Sequence, residues 1–242
     1  MGLLSGRVAV VTGASSGIGA AIARGLAAEG ARIVAVARRA ERLAGLVAEI
    51  EAAGGVARAH PADVTQEDSV AALFDSIDAT EGRVDLLVNN AGIADHTATR
   101  DLTMARWREM LDTNVTSIFL CSRAAVIRME KQRRGRIINI GSVSAKVPRP
   151  NNLAYAASKS AVQGMTHALA IDGREFGITA SVLHPGATVS ELVPNMATRA
   201  SEKIMATEDM ARIAVLMASM PDEANLFEAL ALPIGQPLLG RG

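Results

Sequence analysis

The chain has one cysteine, one tyrosine and no excess of charge of either sign. Cys121 has no second thiol to meet, so an internal disulfide is excluded, and a reducing compartment, the cytoplasm, is the expectation. Lys plus Arg and Asp plus Glu stand at 25 each in 242 residues, which leaves no broad field to draw nucleic acid or an anionic membrane. The one strongly basic stretch, "KQRRGR" from Lys131 to Arg136, follows a helical apolar run and reads as cations at a helix C-terminus that Gly135 ends. No apolar run is long enough to span a bilayer, and "MGLLSGRVAVVTG" lacks the basic lead and cleavage site of a secretory signal. His60, His96, His167 and His184 are dispersed, with no spacing such as H-E-x-x-H, so no catalytic metal is expected.

What the chain does have is apolar mass, 49% of its residues, and a strict alternation of patterns. Short β-rich runs ("RVAVVT", "ARIVAVA", "VARAHPA", "VDLLVN", "RIINIG", "TASVLH" and "FEALALP") are separated by longer helical ones. In "GAAIARGLAAEG", for example, Ile18, Ile22 and Leu26 fall on one helical face and Gly30 closes the end. This alternation predicts a single α/β domain over residues 1–242, a doubly wound parallel sheet of Rossmann-like type with helices on both faces. The longest irregular stretches, Ile93 to Asp101, Val143 to Asn152 and Ala187 to Thr207, all follow predicted strands. In an open parallel sheet ligands bind beyond the strand C-terminal ends, so these loops are the expected walls of a site.

Two stretches carry chemistry. "TGASSGIG" from Thr12 to Gly19 joins the first strand to the first helix, and Gly13, Gly17 and Gly19 permit a tight turn and close approach of a diphosphate to the helix N-terminus. Ser15, Ser16 and Ile18 complete that loop. "YAASK" places Tyr155, the only tyrosine, four residues before Lys159, one helical turn apart on the same face. A phenol titrates near pH 10 and a neighbouring cation lowers that value, so the pair reads either as a proton donor for a developing alkoxide with Lys159 assisting or as an incidental Tyr and Lys on a surface helix, and its company with the other motifs decides for the first. Ser142, just past "RIINIG", would emerge beside it to bond the carbonyl oxygen, although "GSVS" after a strand is also ordinary turn chemistry.

The order and spacing of "TGASSGIG", "NNAG" (Asn89 to Gly92), Asn114, Gly141 and Ser142, "YAASK", and Pro185 with Gly186 resemble the short-chain dehydrogenases/reductases over almost the whole chain, Arg7 to about Ala218. The resemblance implies a nicotinamide cofactor and hydride transfer between a carbonyl and an alcohol. It further implies that Asn114 holds a water linking Lys159 to solvent, that Asn90, Ala91 and Gly92 line the adenosine side, and that Pro185 and Gly186 turn beneath the nicotinamide with Thr188 contacting its amide. It implies a homodimer or homotetramer. Local backbone bonding is the alternative for Asn114. Asp63, with Val64 beside it, would either meet the adenine amine or cap the following helix.

Cofactor choice rests on "IVAVARRAERL". An NAD site places an acid at the end of the second strand, whereas here Ala37 holds that position and Arg38 follows, so NADP(H) is expected, with NAD(H) the alternative. Arg38 and Arg39 would otherwise be the solvated start of a helix. Ser181 stands where many relatives have asparagine, and Pro233 and Pro237 replace the usual "DGG"-like ending. His184 is read as structural, with a substrate contact as the alternative. The expected partner is a small carbonyl or alcohol, walled by His96, Val143, Ser144, Asn152, Leu192 and Met196, with Lys146 and Arg149 either attracting an anionic group or facing water. A cofactor-binding regulatory protein and an epimerase remain as other classes, to be separated by assays of turnover and product.

Overall fold

A computed structural model describes residues 2–189, 204–236 and 238. Leu192, Met196 and Pro237, named above, lie outside the described residues. Every expected strand is present: β1 (Val8–Thr12), β2 (Arg32–Ala37), β3 (Val56–Pro61), β4 (Leu86–Asn89), β5 (Gly135–Ile140), β6 (Ile178–Pro185) and β7 (Glu228–Ala231). They form one sheet in the order β3-β2-β1-β4-β5-β6-β7, with every pairing parallel. Helices α1 (Gly17–Ala28), α2 (Ala40–Ala52), α3 (Glu67–Thr80), α4 (Met104–Leu111), α5 (Ser117–Gln132), α6 (Leu153–Asp172) and α7 (Thr207–Ser219) make the crossovers and cover both faces.

The period-two alternation of each strand divides the core. On β1, Ala9 and Val11 join Ile22, Leu26, Leu43 and Met217 in the layer beneath α1, α2 and α7. Val8 and Val10 face the other way, onto Phe74, Ile77, Cys121 and Met129 of α3 and α5. Because both faces are buried, the strands read as continuous apolar runs rather than as alternating ones. Burying a side chain such as Phe74 or Leu26 fully is worth about 1.5–3 kcal/mol each, so the two layers rather than any single bond hold the sheet.

Two local expectations need correction. Gly135 does not end α5: Arg133 takes the left-handed conformation there, at φ 54°, and Gly135 is already the first residue of β5. The glycine is required instead for packing, because a Cβ would sit 2.3 Å from Met129 Sδ. The run "WREMLDTNVTSIFL" is not one α-helix either. A π-helical turn, Asp112–Thr116, separates α4 from α5 and carries Asn114 inward, where it is fully buried.

Strand order reverses at β1, which has β2 on one side and β4 on the other. The loops leaving the C-terminal ends of β1, β4, β5 and β6 therefore converge on one cleft.

Candidate active site

The cleft has a volume of about 430 Å³ and runs from Arg38 and Asp63 at one end past Gly13, Asn90 and Ile140 to Ser142, Tyr155 and Thr188. Its floor is the glycine loop. Gly13 has φ 64°, and a Cβ on it would lie 2.8 Å from the Asn90 amide nitrogen. On Gly19 a Cβ would come within 2.4 Å of both Asn90 Nδ2 and the Gly13 carbonyl oxygen. Gly17, at φ 55°, has open space where its Cβ would be. The loop thus presents bare backbone to the cleft at the N-terminus of α1, the setting in which a diphosphate is bound, and the residues present fit a dinucleotide.

Asn90 secures this floor rather than reaching into the cleft. Its Nδ2 donates to the carbonyls of Thr12 and Gly13, each at 3.1 Å, while the amides of Asn90 and Ala91 donate to Thr12 Oγ1 at 3.0 and 3.1 Å. Beneath it, Asn89 Nδ2 donates to Asn139 Oδ1 (2.9 Å) and Ser122 Oγ (3.0 Å), and Asn139 Nδ2 to Thr166 Oγ1 (2.9 Å). These buried amides are satisfied across β4, β5, α5 and α6, which fixes the strand ends.

Asn114 bonds backbone, but that of the loop after β4, 21 residues away, rather than its own turn. Its Oδ1 accepts from the Ile93 amide at 2.8 Å, and its Nδ2 donates to the Ile93 carbonyl at 2.9 Å and to Ser158 Oγ at 3.0 Å. Ser158 Oγ in turn donates to the Tyr155 carbonyl at 2.8 Å, so the loop after β4 is joined to the start of α6. Gly92 leaves room for this: a Cβ there would be 3.2 Å from Asn114 Oδ1 and 3.7 Å from Lys159 Nζ.

Tyr155, Lys159 and Ser142 meet at the other end of the cleft. Tyr155 is half-buried, and its phenol is pushed up by burial and drawn down by a hydrogen bond with the Ser142 side chain. Lys159 is buried, its Nζ lies 5.7 Å from the centre of the Tyr155 ring, and it donates to the Ile140 carbonyl at 2.8 Å. Burial pushes the Lys159 ammonium down to about 8. Ser142 Oγ accepts from the Ser144 amide at 3.1 Å, which is the turn bonding left open for it, and it also meets the Tyr155 side chain.

At the far end, Arg38 is exposed at the rim, while Arg39 reaches the glycine loop. Its Nη2 donates to Ser15 Oγ at 2.8 Å and to Ser16 Oγ at 2.7 Å. Asp63 neither caps α3, which starts after Gln66, nor stands free. Its Oδ1 accepts from the Thr65 amide and hydroxyl at 3.0 and 2.8 Å, with Val64 buried alongside.

Pro185, Gly186 and Thr188 line the cleft as well. Sequence reading missed the residue that holds them: Gln236 is buried, and its Oε1 accepts from the Ala187 amide at 2.6 Å. The only signal for it was the departure of "PIGQP" from the usual ending. Among the described residues no group of three metal-ligating side chains occurs, and no helix is long and apolar enough to cross a membrane.

The family model described as short chain dehydrogenase matches residues 7–201. The chain belongs to the short-chain dehydrogenase/reductase family. The enzyme is an oxidoreductase acting on CH–OH groups, as its relatives are. It is 42% identical over 193 residues to the 3beta-hydroxysteroid dehydrogenase of Mediterraneibacter gnavus, which covers 79% of this chain and 70% of that one. A metagenomic short-chain oxidoreductase in complex with NADP is 37% identical with a TM-score of 0.85, covering 96% of this chain and 98% of that one. The gluconate 5-dehydrogenase of Burkholderia cenocepacia J2315, in complex with NADP and tartrate, is 31% identical with a TM-score of 0.89 and 94% coverage of both.

Proposed function

We propose that the enzyme interconverts a small carbonyl compound and its secondary alcohol with NADP(H). The observation that carries the reading is the meeting of the Tyr155 and Ser142 side chains at one end of a cleft whose other end has two arginines and, at the end of β2, Ala37 in place of an acid. The nicotinamide cofactor, when bound, supplies or takes the hydride.

Tyr155 holds the proton that a reduced carbonyl oxygen requires, and it accepts that proton in the reverse direction. Ser142 donates to the substrate oxygen, because a carbonyl oxygen can only accept, while the Ser144 amide bond to Oγ holds the hydroxyl in place. Lys159 has two tasks. Its ammonium lies close enough to favour the phenolate, and it reaches the cleft floor where a ribose would lie. In this reading Asn114 keeps Ile93 in place so that a water between them and Lys159 can relay protons to solvent.

Arg38 and Arg39 stand where a 2′-phosphate would be, at the end of β2, with Ala37 in the place an NAD site gives to an acid. NADP in two related structures supports this choice. Gly13, Gly17 and Gly19 with Ser15, Ser16 and Ile18 take the diphosphate, Asp63 and Val64 the adenine, Asn90, Ala91 and Gly92 the adenosine side, and Pro185, Gly186 and Thr188 the nicotinamide. The exposed Phe119 and Ile127 of α5 and Leu153 and Ile171 of α6 suit packing against further copies of the chain, as a dimer or tetramer in the cytoplasm.

The substrate is a small carbonyl compound bounded by His96, Val143, Ser144 and Asn152. Relatives named as a 3beta-hydroxysteroid dehydrogenase and a gluconate 5-dehydrogenase set the range of carbonyl compounds to test. The test is NADPH consumption against a panel of ketones, keto acids and ketosteroids, with NADH in parallel. Turnover with no carbonyl of the panel, by a chain that binds NADPH, would favour a regulatory role instead.

A further inference from the structure

Behind Ser142 lies a buried histidine that the proposed chemistry leaves unused. His184 is fully buried at the end of β6, and its Nδ1 is 3.2 Å from the Ser142 amide nitrogen and 2.9 Å from the Ser142 carbonyl oxygen. Such an approach requires glycine at 141, because a Cβ there would lie 2.5 Å from Nδ1 and 2.8 Å from Cε1. "GS" and the histidine before "PG" are therefore a matched pair.

The other ring nitrogen faces β7. Among the described residues Nε2 has no hydrogen-bond partner, and the Glu228 carboxylate is 3.8 Å away, too far for a hydrogen bond but close for a charge at a buried ring. Glu228 is itself held by Lys146 Nζ at 2.7 Å. Ser142 and Lys146 are the two ends of one short 3-10 turn, Val143–Ala145. Its first end touches the histidine and its last end reaches the same ring through Glu228.

Burial pulls the His184 ring below its ordinary range, against the Ser142 and Glu228 contacts that raise it, so the ring is neutral and carries one proton. Nδ1 is bonded to the Ser142 backbone in either tautomer, donating to the carbonyl oxygen at 2.9 Å or accepting from the amide at 3.2 Å, so the ring is tied to this residue whichever nitrogen carries the proton.

We propose that His184 is a positioning residue for Ser142, clamping together with Glu228 and Lys146 the turn that aims the Ser142 hydroxyl at the substrate oxygen. The proposal rests on the carbonyl chemistry given above. It explains why the enzyme keeps a polar ring in a site where an apolar side chain would avoid leaving Nε2 without a partner.

The test compares wild type, His184→Leu, His184→Asn and Glu228→Ala for kcat and KM with an active ketone, and for NADPH Kd by fluorescence titration. In the Leu variant kcat should fall about tenfold or more while NADPH Kd stays within about twofold, since the clamp acts on the substrate side. Asn, whose amide reaches the place of Nδ1, should restore most of that loss. Glu228→Ala lies at a partly exposed edge, so it should fold even if the Leu variant does not. Its kcat should fall about fivefold with unchanged NADPH Kd. Unchanged kcat in a folded Leu variant or in Glu228→Ala, or no recovery with Asn, overturns the clamp. An active wild type in those cases leaves the carbonyl reading intact, whereas a wild type inactive on every ketone defeats that reading and the clamp with it.

Discussion

At the scale of single residues, the site sets two ionisable groups against their own burial. Tyr155 is pushed up and Lys159 down, each toward its neutral form, by the same loss of water. Replacing Tyr155 with Phe removes only the hydroxyl proposed to donate the proton, so turnover should fall about 10²–10⁴-fold while NADPH binding, followed by titration, stays near wild type. Lys159→Met tests the other half of the pair. Should the ammonium stabilise the phenolate, the pH profile of alcohol oxidation at saturating cofactor shifts upward in the variant, and an unshifted profile leaves Lys159 only a binding role.

The same lysine has a consequence for stability. Its folded value of about 8 lies below the ordinary 10.5, so the unfolded chain holds the proton more tightly and ionised Lys159 costs the free protein stability at low pH. That cost is fully present below about pH 8 and disappears as pH rises toward 10.5. Urea midpoints of the free enzyme at about pH 7.5 and about pH 9.5 should therefore show a larger rise for wild type than for Lys159→Met. Equal rises would remove the lysine as the cause.

At the scale of elements, the informative pieces are the joints between regular segments. The π-helical turn at Asp112–Thr116 exists to deliver Asn114, whose amide substitutes for the partners that Ile93 lacks. Asn114→Ala leaves the partly buried Ile93 N–H and C=O without their partner and opens a gap at a fully buried position, so the variant should lose about 1–3 kcal/mol of stability, measured by urea unfolding. The same loop is pinned on its other side. Arg106 of α4 donates to Asp95 Oδ2 and to the Ala94 carbonyl, and although burial raises the Asp95 carboxyl, hydrogen bonds from Thr97 and Arg106 hold it at about 2. Its contribution is present above the ordinary 3.8 and lost as pH falls toward 2. Arg106→Ala should weaken that acid sensitivity, which thermal melts between about pH 5 and about pH 2 can follow.

Strands and crossover helices were legible because their signals are local and repeated: β1 and β2 carry consecutive buried apolar residues, Val8 to Val11 and Ile33 to Val36, and α1 shows its buried face at the right period. The joints were not, for equally physical reasons. A π-turn differs from an α-turn by one residue of backbone path and has no composition of its own, so "LDTNV" reads as helix. Gly135 looks like a helix stop because its actual demand, room for Met129, comes from a contact only the folded chain makes. Among the cleft residues, Arg39 and Gln236 were hidden in the same way. One is the second of two arginines that the sequence cannot rank, and the other is contributed by a segment far along the chain whose position depends on β7.

At the scale of the whole molecule, the cleft is assembled from both ends of the chain. The glycine loop begins at residue 13, and the clamp on Ala187 comes from Gln236. Between them the sheet order places β1 at the reversal and β6 beside β7, so cofactor binding should report on the packing of the C-terminal strand. Arg39→Ala and Gln236→Ala approach the cleft from these opposite ends. The first should weaken NADPH about tenfold and NADH much less, since it removes a charge-assisted contact to the extra phosphate. The second should weaken both cofactors alike, because it loosens a turn common to them. Parallel titrations of the variants with NADPH and NADH distinguish the two patterns.

Cys121 lies in the layer between the sheet and α5, wholly enclosed, with burial pushing its thiol up to about 12. A thiolate is the reactive form, so neither access nor ionisation permits attack while that layer is closed. The enzyme consequently carries a single built-in clock: a chromogenic disulfide reagent can react only during the moments when α5 lifts from the sheet. The slow rate of labelling under native conditions becomes a direct count of those openings. Ligands that bind only the closed form slow the count by the factor 1 + [L]/Kd, so NADPH at about ten times its Kd should lengthen the labelling time about elevenfold. A labelling time indifferent to NADPH would mean that α5 parts from the sheet without disturbing the cofactor cleft.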